Sequence, residues 1–162
     1  GMVATQTGDS FEEMAKVINN AISDNFKEFP ELEVIGEPGR FFASSSMTLV
    51  FNVIGKKPSL IEGKPGYKYY LDEGIYGGFN CIIFDHVAPT LQLLCPRDHA
   101  IRYKATVFGP TCDSIDTLGI HELPELYIGE KLFCDNFGAY TACASSQFNG
   151  FANNRRFYII QE

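Results

Sequence analysis

The chain has 162 residues, 45% of them hydrophobic, and a formal net charge of −7 from 20 acidic residues against 13 Lys and Arg. This length fits one globular domain, or one domain with a piece of another. The acidic balance argues against a nucleic-acid partner, because binding a phosphate backbone needs a basic face. There is no signal-peptide pattern and no apolar run long enough to cross a bilayer, so we expect a cytoplasmic protein without a membrane partner.

The cysteines and histidines do not indicate a disulfide framework or a metal site. The number of cysteines is odd, no C-x-x-C pair occurs, and the three histidines share no common spacing. Zinc sites normally draw their ligands from close pairs. We therefore expect no bound metal, and reduced thiols at Cys81, Cys95, Cys112, Cys134 and Cys143.

The N-terminal part predicts one helix followed by one strand. Ser10 and Glu13 have the spacing of a capping box, and apolar residues then recur at helical intervals, which predicts a helix over 11–29 with one buried face. Pro30 ends this helix. The apolar run 32–35 predicts a short strand. Such a helix-strand unit is typical of α/β architectures, and because no second unit follows it, we expect a remnant of a larger domain.

From residue 41 onward the pattern changes to short apolar or alternating runs separated by turns rich in Gly, Pro and Asp. This pattern is typical of an antiparallel β-sandwich or small barrel. Two segments, 56–58 and 63–66, are interpreted as exposed hairpin connections. The predicted strands are 47–54, 67–71, 81–84, 100–107, 131–134 and 157–160.

Four polar segments at strand ends are candidates for a site, and each also has a structural interpretation. The loop 109–116 holds two carboxylates, a thiol and hydroxyls after a Gly-Pro pair, and taken alone a solvated loop is the favoured interpretation. Segment 37–40 offers a carboxylate, a glycine amide and a guanidinium for an anion, or a turn with a surface ion pair. Asp85 with His86 is typical of a cap or turn, and Tyr140 of a packed corner.

Five blocks in the same order nevertheless resemble one family, the eukaryotic-type ornithine decarboxylases. These enzymes belong to the fold-type III, alanine-racemase-like pyridoxal-phosphate enzymes, within the group IV decarboxylases. The resemblance runs from about residue 9 to the end of the chain. The blocks are EPGRFF at 37–42, DEGIYGGFN at 72–80, FDH at 84–86, GPTCDSID at 109–116, and GAYT at 138–141 with FNGF at 148–151.

The resemblance implies an enzyme with an N-terminal α/β barrel, which carries the cofactor lysine, and a C-terminal β-domain. Residues 9–40 would be the last helix and strand of the barrel, and residues 41–162 the C-terminal β-domain. The lysine and the glycine-rich phosphate loop would lie upstream of residue 1. The chain alone is therefore expected to be inactive.

The resemblance also implies which residues bind the cofactor, pyridoxal 5'-phosphate. Glu37 looks like the carboxylate that pairs with the pyridine nitrogen and keeps it protonated, which makes it a catalytic group as well. Gly39 and Arg40 resemble phosphate ligands, an amide and a guanidinium suited to a dianion. Tyr140 resembles the phenol that completes the phosphate site.

Three further residues resemble catalytic and substrate-binding groups. Cys112 resembles the thiol that directs protonation after CO₂ leaves. Asp113 resembles the carboxylate that binds the distal ammonium of the substrate, reaching into a partner subunit's active site, and Asp85 resembles a second carboxylate for that ammonium. The other polar residues of the loop, Thr111, Ser114 and Asp116, are expected to hold the turn.

Some features leave the exact function open. Phe84 stands where the ornithine enzymes carry Tyr, so a related basic amino acid is an alternative substrate. Asp at position 113, where the diaminopimelate branch is expected to carry Glu, makes that branch weaker. The resemblance implies a homodimer, with Gly138 allowing close approach at the interface. A non-catalytic paralogue of the antizyme-inhibitor type, which binds a regulatory protein, is the other alternative.

Overall fold

A computed structural model describes residues 10–86, 88–152 and 155–160. Its first element is α1, Phe11–Phe26. The predicted capping box is confirmed, since the Ser10 hydroxyl accepts from the Glu13 amide at 3.2 Å and the Glu13 carboxylate accepts from the Ser10 amide at 2.7 Å. The helix ends three residues earlier than predicted, where Phe29 N–H donates to the Phe26 carbonyl in a separate turn.

Two expectations for this N-terminal region are wrong. No residue of α1 is buried, because the described residues place no element over most of its apolar face; the ring of Phe11 contacts that of Phe41 at 4.5 Å. Residues 32–35 do not form a strand, and Ile35 is 77% exposed. A strand needs a neighbour for its amides and carbonyls, and the described residues supply none there.

The main body is one six-stranded sheet with the order β3-β6-β1-β2-β4-β5, curled into a half-barrel. This confirms the prediction of a mainly β domain. One pair, β2 with β4, is parallel rather than antiparallel; all other neighbouring pairs are antiparallel. The strands are β1 Leu49–Ile61, β2 Lys64–Leu71, β3 Gln92–Leu93, β4 Arg102–Phe108, β5 Thr117–Pro124 and β6 Lys131–Cys134.

Strand β1 is longer than predicted and includes residues 56–58, which were interpreted as a hairpin connection. Its first part, Leu49 to Asn52, pairs with β6, whereas its second part pairs with β2 alone. Pro58 therefore lies on a free edge, where its missing N–H costs no ladder bond. The turn itself is Glu62-Gly63, with φ of 49° and 76°, which suits a two-residue hairpin.

Two other predicted strands are wrong. Residues 81–84 form a short helix, α3, Cys81–Phe84, closed by the Asp85 amide donating to the Cys81 carbonyl at 3.1 Å. A four-residue apolar run is compatible with either structure. Residues 157–160 are not in a strand and are exposed, because no described strand lies beside them.

The core is formed by buried side chains of β1, β2, β4, β5 and β6, together with Phe79, Cys81, Leu91, Leu126 and Phe137. The Tyr69 hydroxyl accepts from the Leu126 amide at 2.9 Å, and burial raises the pKa of Tyr69 to about 12. No helix in the described part of the chain is long and apolar enough to cross a membrane. The largest buried side chains are Tyr69, Phe51, Phe79, Leu71, Leu123, Leu126 and Leu132.

Candidate active-site residues

The loop that follows β4 is held by one buried carboxylate. Asp116 is 1% exposed and accepts from the Ile75 amide at 3.0 Å, the Thr111 amide at 3.0 Å and the Thr111 hydroxyl at 2.7 Å. Its own amide donates to the Asp113 carbonyl at 3.1 Å. Thr111 and Asp116 thus hold the turn as predicted, and Asp116 also ties the loop to segment 72–80.

Glycines surround this carboxylate because nothing larger fits. A Cβ at Gly74 or at Gly109 would collide with Asp116 Oδ1. Glu73 is a second buried carboxylate and accepts from the Gly74 and Gly78 amides at 2.9 Å. The glycine-rich block 72–80 and the loop 109–116 therefore fold as one unit.

Asp113 is oriented by an aromatic side chain of segment 72–80. The Tyr76 hydroxyl donates to Asp113 Oδ2 at 2.5 Å, and the Tyr76 ring stacks on Phe148 at 4.1 Å. Asp113 Oδ1 accepts from the Ile115 amide at 3.1 Å. These donors lower the pKa of Asp113, while the carboxylate raises the pKa of Tyr76 to about 12. Asp113 is thereby kept as an oriented carboxylate at neutral pH.

Replacing Tyr76 with Phe removes the largest cause of the lowered pKa of Asp113, so we expect that pKa to rise towards its ordinary value of 3.8. The bond stabilises the fold above the ordinary pKa of Asp113, and this stabilisation is lost as pH falls through the lowered folded-state pKa. A carboxyl ¹³C NMR titration measures the shift, with Tyr127→Phe as the control. An unchanged Asp113 titration would contradict the assigned bond.

The thiol of Cys112 lies beside Asp113 in sequence and is exposed. The Asn149 side-chain amide lies 3.8 Å from its sulfur. Asn149 has a φ of 55°, in the turn Phe148–Gly150. The loop therefore presents a carboxylate and a thiol next to each other, against the segment that carries Phe148 and Asn149.

A second group, which we call the arginine cluster, consists of Arg40, Asp85 and Tyr140. Arg40 lies in the short helix α2, Gly39–Ala43, and is 9% exposed. Its Nη2 forms an ion pair with Asp85 Oδ2, and its guanidinium lies 4.9 Å from the centre of the Tyr140 ring. The arginine side chain is buried, whereas the Asp85 side chain is 25% exposed.

The remaining predicted residues lie beside this cluster in sequence. Glu37 is exposed, and its carbonyl accepts from the Gly39 amide at 2.8 Å. Gly39 has no atom within 4 Å of an added Cβ, so its position is open. Phe84, at the end of α3, is 70% exposed. The segment 37–40 therefore offers an exposed carboxylate and an uncrowded glycine beside a buried guanidinium, with the Gly39 amide donating to the Glu37 carbonyl.

The two groups are not bonded to each other within the described part of this chain. No hydrogen bond or ion pair within residues 10–86, 88–152 and 155–160 joins the arginine cluster to Cys112 or Asp113. Segment 140–151 passes both of them: Tyr140 lies at Arg40, the Ser146 amide donates to the Tyr76 carbonyl at 2.7 Å, and Phe148 stacks on Tyr76. This separation is compatible with the expectation that Asp113 serves a neighbouring subunit.

Sequence reasoning missed Tyr76, Glu73 and Asn149 as residues that position the site. The signal for Tyr76 and Glu73 was present, because both lie in the glycine-rich block 72–80. Asn149 lies in the block FNGF, for which no individual residue role was predicted. In the described ranges, no group of three or more His, Cys, Asp or Glu could hold a metal ion.

The comparison with known proteins identifies the family. Residues 40–138 match the model described as "Pyridoxal-dependent decarboxylase, C-terminal sheet domain", and residues 2–44 match "Pyridoxal-dependent decarboxylase, pyridoxal binding domain". The chain belongs to the pyridoxal-dependent decarboxylases. The resemblance to the ornithine decarboxylases is confirmed, and pyridoxal phosphate is the cofactor of the family.

The proteins similar to this chain are named as an antizyme inhibitor, an ornithine decarboxylase and an arginine decarboxylase. Antizyme inhibitor 2 of Xenopus laevis is 40% identical over 160 residues, 93% of this chain and 35% of that protein. Ornithine decarboxylase of Caenorhabditis elegans is 37% identical over 172 residues, 100% of this chain and 40% of that protein. The arginine decarboxylase of Paramecium bursaria Chlorella virus, bound to agmatine, matches with a TM-score of 0.80 and 37% identity over 94% of this chain and 41% of that one. The chain thus spans about two fifths of the length of its relatives.

The arginine cluster has the donors that a phosphate group needs. The Arg40 side chain is buried, and the Tyr140 ring lies next to it. A guanidinium and a phenol are donors suited to a phosphate dianion. The exposed carboxylate of Glu37 lies three residues before Arg40. These residues fit the family's cofactor.

Proposed function

We propose that the chain is the C-terminal domain of a pyridoxal-phosphate-dependent ornithine decarboxylase, which converts ornithine to putrescine and CO₂ in polyamine biosynthesis. The observation that carries the proposal is the Asp113 carboxylate, oriented by Tyr76 beside the exposed Cys112 thiol. An oriented anion suits a substrate whose distal group is an ammonium.

The cofactor is held in part by this domain. Arg40, Gly39 and Tyr140 would bind its phosphate, and Glu37 would keep its pyridine nitrogen protonated. The bound cofactor supplies the electron sink that makes loss of CO₂ possible. The domain would fix the orientation of the cofactor through two charged side chains, Arg40 at the phosphate and Glu37 at the pyridine nitrogen.

The substrate is recognised by two carboxylates. Asp113 and Asp85 bind the distal ammonium, because a desolvated cation without a paired anion costs several kcal/mol by order of magnitude. Asp113 is ionised well below neutral pH, since its pKa is lowered by the Tyr76 hydroxyl. Cys112 would direct protonation of the carbon that has lost CO₂. An Asp rather than a Glu at position 113 leaves room for a diamino acid.

The site is completed across a homodimer. On one chain no hydrogen bond or ion pair among the described residues joins Cys112 or Asp113 to the arginine cluster. This supports a site where one subunit gives the loop 109–116 and the other gives Arg40, Asp85 and Tyr140. We assign the enzyme to the cytoplasm. The negative net charge of −7 gives no basic face for nucleic acid.

Two alternatives have specific support. Phe84 and the likeness to an arginine decarboxylase favour a decarboxylase of another basic amino acid. The likeness to an antizyme inhibitor favours a non-catalytic paralogue that binds an antizyme-type regulator. Glu37, Arg40, Cys112, Asp113 and Tyr140 together favour the enzyme, because a binding module has no chemical need for all five.

Assay of the full-length gene product separates these functions. With pyridoxal phosphate, we expect CO₂ release from ornithine with a higher kcat/KM than from lysine or arginine. A preference for lysine or arginine would identify the related decarboxylase. No turnover of any of the three would support the non-catalytic paralogue.

A further inference from the structure

Arg40 and Asp85 have different ligands in the proposed enzyme, yet they are paired with each other in the structure. Nη2 of Arg40 contacts Oδ2 of Asp85, and the two side chains are 9% and 25% exposed. A buried guanidinium needs an anion, because an uncompensated charge in the interior costs several kcal/mol by order of magnitude. Asp85 supplies that anion.

Each of the two side chains is the charge partner of the other. Within residues 10–86, 88–152 and 155–160, no second ion pair is formed by Arg40 or by Asp85. An anion that binds Arg40 must therefore replace Asp85 as its counter-ion, and a cation that binds Asp85 must replace Arg40.

We infer that Arg40 and Asp85 are exchangeable counter-ions, so that an anion bound at Arg40 and an ammonium bound at Asp85 favour each other. This inference rests on the proposed function, which places a phosphate at the first residue and a diamine nitrogen at the second. A phosphate that approaches Arg40 meets a neutral pair and a nearby carboxylate that repels it. An ammonium at Asp85 cancels that repulsion and frees the guanidinium.

The coupling is reciprocal. If the ammonium tightens phosphate binding by a given factor, phosphate tightens ammonium binding by the same factor. The Asp85 carboxylate becomes fully available to an ammonium only when a phosphate has replaced it as the counter-ion of Arg40. In the paired arrangement the guanidinium lies 4.9 Å from the centre of the Tyr140 ring.

The test uses inorganic phosphate and 1,4-diaminobutane with the full-length protein after removal of pyridoxal phosphate. The ¹⁵N NMR signal of the Arg40 side chain, assigned by its loss in Arg40→Lys, reports the phosphate concentration at half saturation. We expect Asp85→Asn to lower that concentration about tenfold, within the ordinary range of coupling between two sites. Asp98→Asn, which removes one exposed charge elsewhere, is expected to leave it unchanged.

The second arm uses the unaltered protein and does not depend on the variant's folding. Saturating 1,4-diaminobutane is expected to lower the half-saturating phosphate concentration of the unaltered protein, but not that of Asp85→Asn, relative to tetramethylammonium chloride at equal ionic strength. If phosphate binds equally with and without diamine, the coupling is wrong and the cofactor role of Arg40 stands. If phosphate never shifts the Arg40 signal, both the coupling and that cofactor role are wrong.

Discussion

Replacing Gly138 with alanine is expected to destabilise the folded chain by about 1–3 kcal/mol, the usual cost of forcing extra atoms into a packed site. A Cβ there would collide with the Ala43 carbonyl oxygen and would lie 2.5 Å from Ser46 Oγ and 2.9 Å from the Ala43 carbonyl carbon. Two of these atoms are backbone, so the neighbour cannot simply rotate away. The Gly138 amide also donates to the Ser44 carbonyl at 2.9 Å.

Gly36→Ala is the matched control, because no atom lies within 4 Å of a Cβ at that position. Urea unfolding of both variants gives the two free energies of unfolding. We expect a clear loss for Gly138→Ala and none for Gly36→Ala. Equal stabilities would contradict the described contact between segment 137–141 and segment 43–46. The close approach at Gly138 is within one chain, and its place at a dimer interface stays a prediction.

Asp113→Ala is expected to raise the KM for ornithine in the full-length enzyme by about thirtyfold or more. Removing one partner of a hydrogen-bonded charge pair costs about 2 kcal/mol or more, and each 1.36 kcal/mol is a factor of ten. The kcat should fall less than kcat/KM, since the variant leaves the proposed cofactor-binding residues Arg40 and Tyr140 unchanged. Ser114→Ala, a change at an exposed neighbour in the same loop, is the control. An unchanged KM would show that Asp113 does not bind the substrate.

Structural features that depend on residues close together in the chain were predicted correctly from the sequence. The capping box of Ser10 and Glu13, the alternating strand that ends before Gly109, and the roles of Thr111 and Asp116 in the turn were all readable, because each depends on residues close together in the chain. The family resemblance depended on the residues of the five sequence blocks and on the order of these blocks along the chain. Local physical chemistry alone cannot predict either.

The failures came from long-range partners. Strand β5 was missed because Gly119, with a φ of 89°, interrupts its alternation, yet pairing with β4 holds it in the sheet. Residues 32–35 have the composition of a strand, but no described neighbour pairs with them. Residues 81–84 had no pattern that separates a helix from a strand. The Tyr76–Asp113 bond joins residues 37 positions apart, which spacing alone cannot reveal.

The pairing of Arg40 with Asp85 was also beyond sequence reasoning. Each residue was assigned a separate ligand from the resemblance, and nothing in the text of the chain places the two side chains in contact. The fold brings α2 and the end of α3 together, so that the two predicted binding groups meet. The position of one element against another therefore decided how this part of the site is arranged.

We propose that this domain supplies Asp113 to a decarboxylation site that another subunit completes. The direct test mixes full-length Asp113→Ala with a full-length variant that lacks the cofactor lysine of the N-terminal barrel, and measures CO₂ release from ornithine at low substrate concentration. Random exchange gives half heterodimers with one intact site each, so about one quarter of the wild-type activity should return. No recovery, with heterodimers demonstrated by mass spectrometry, would contradict the shared site.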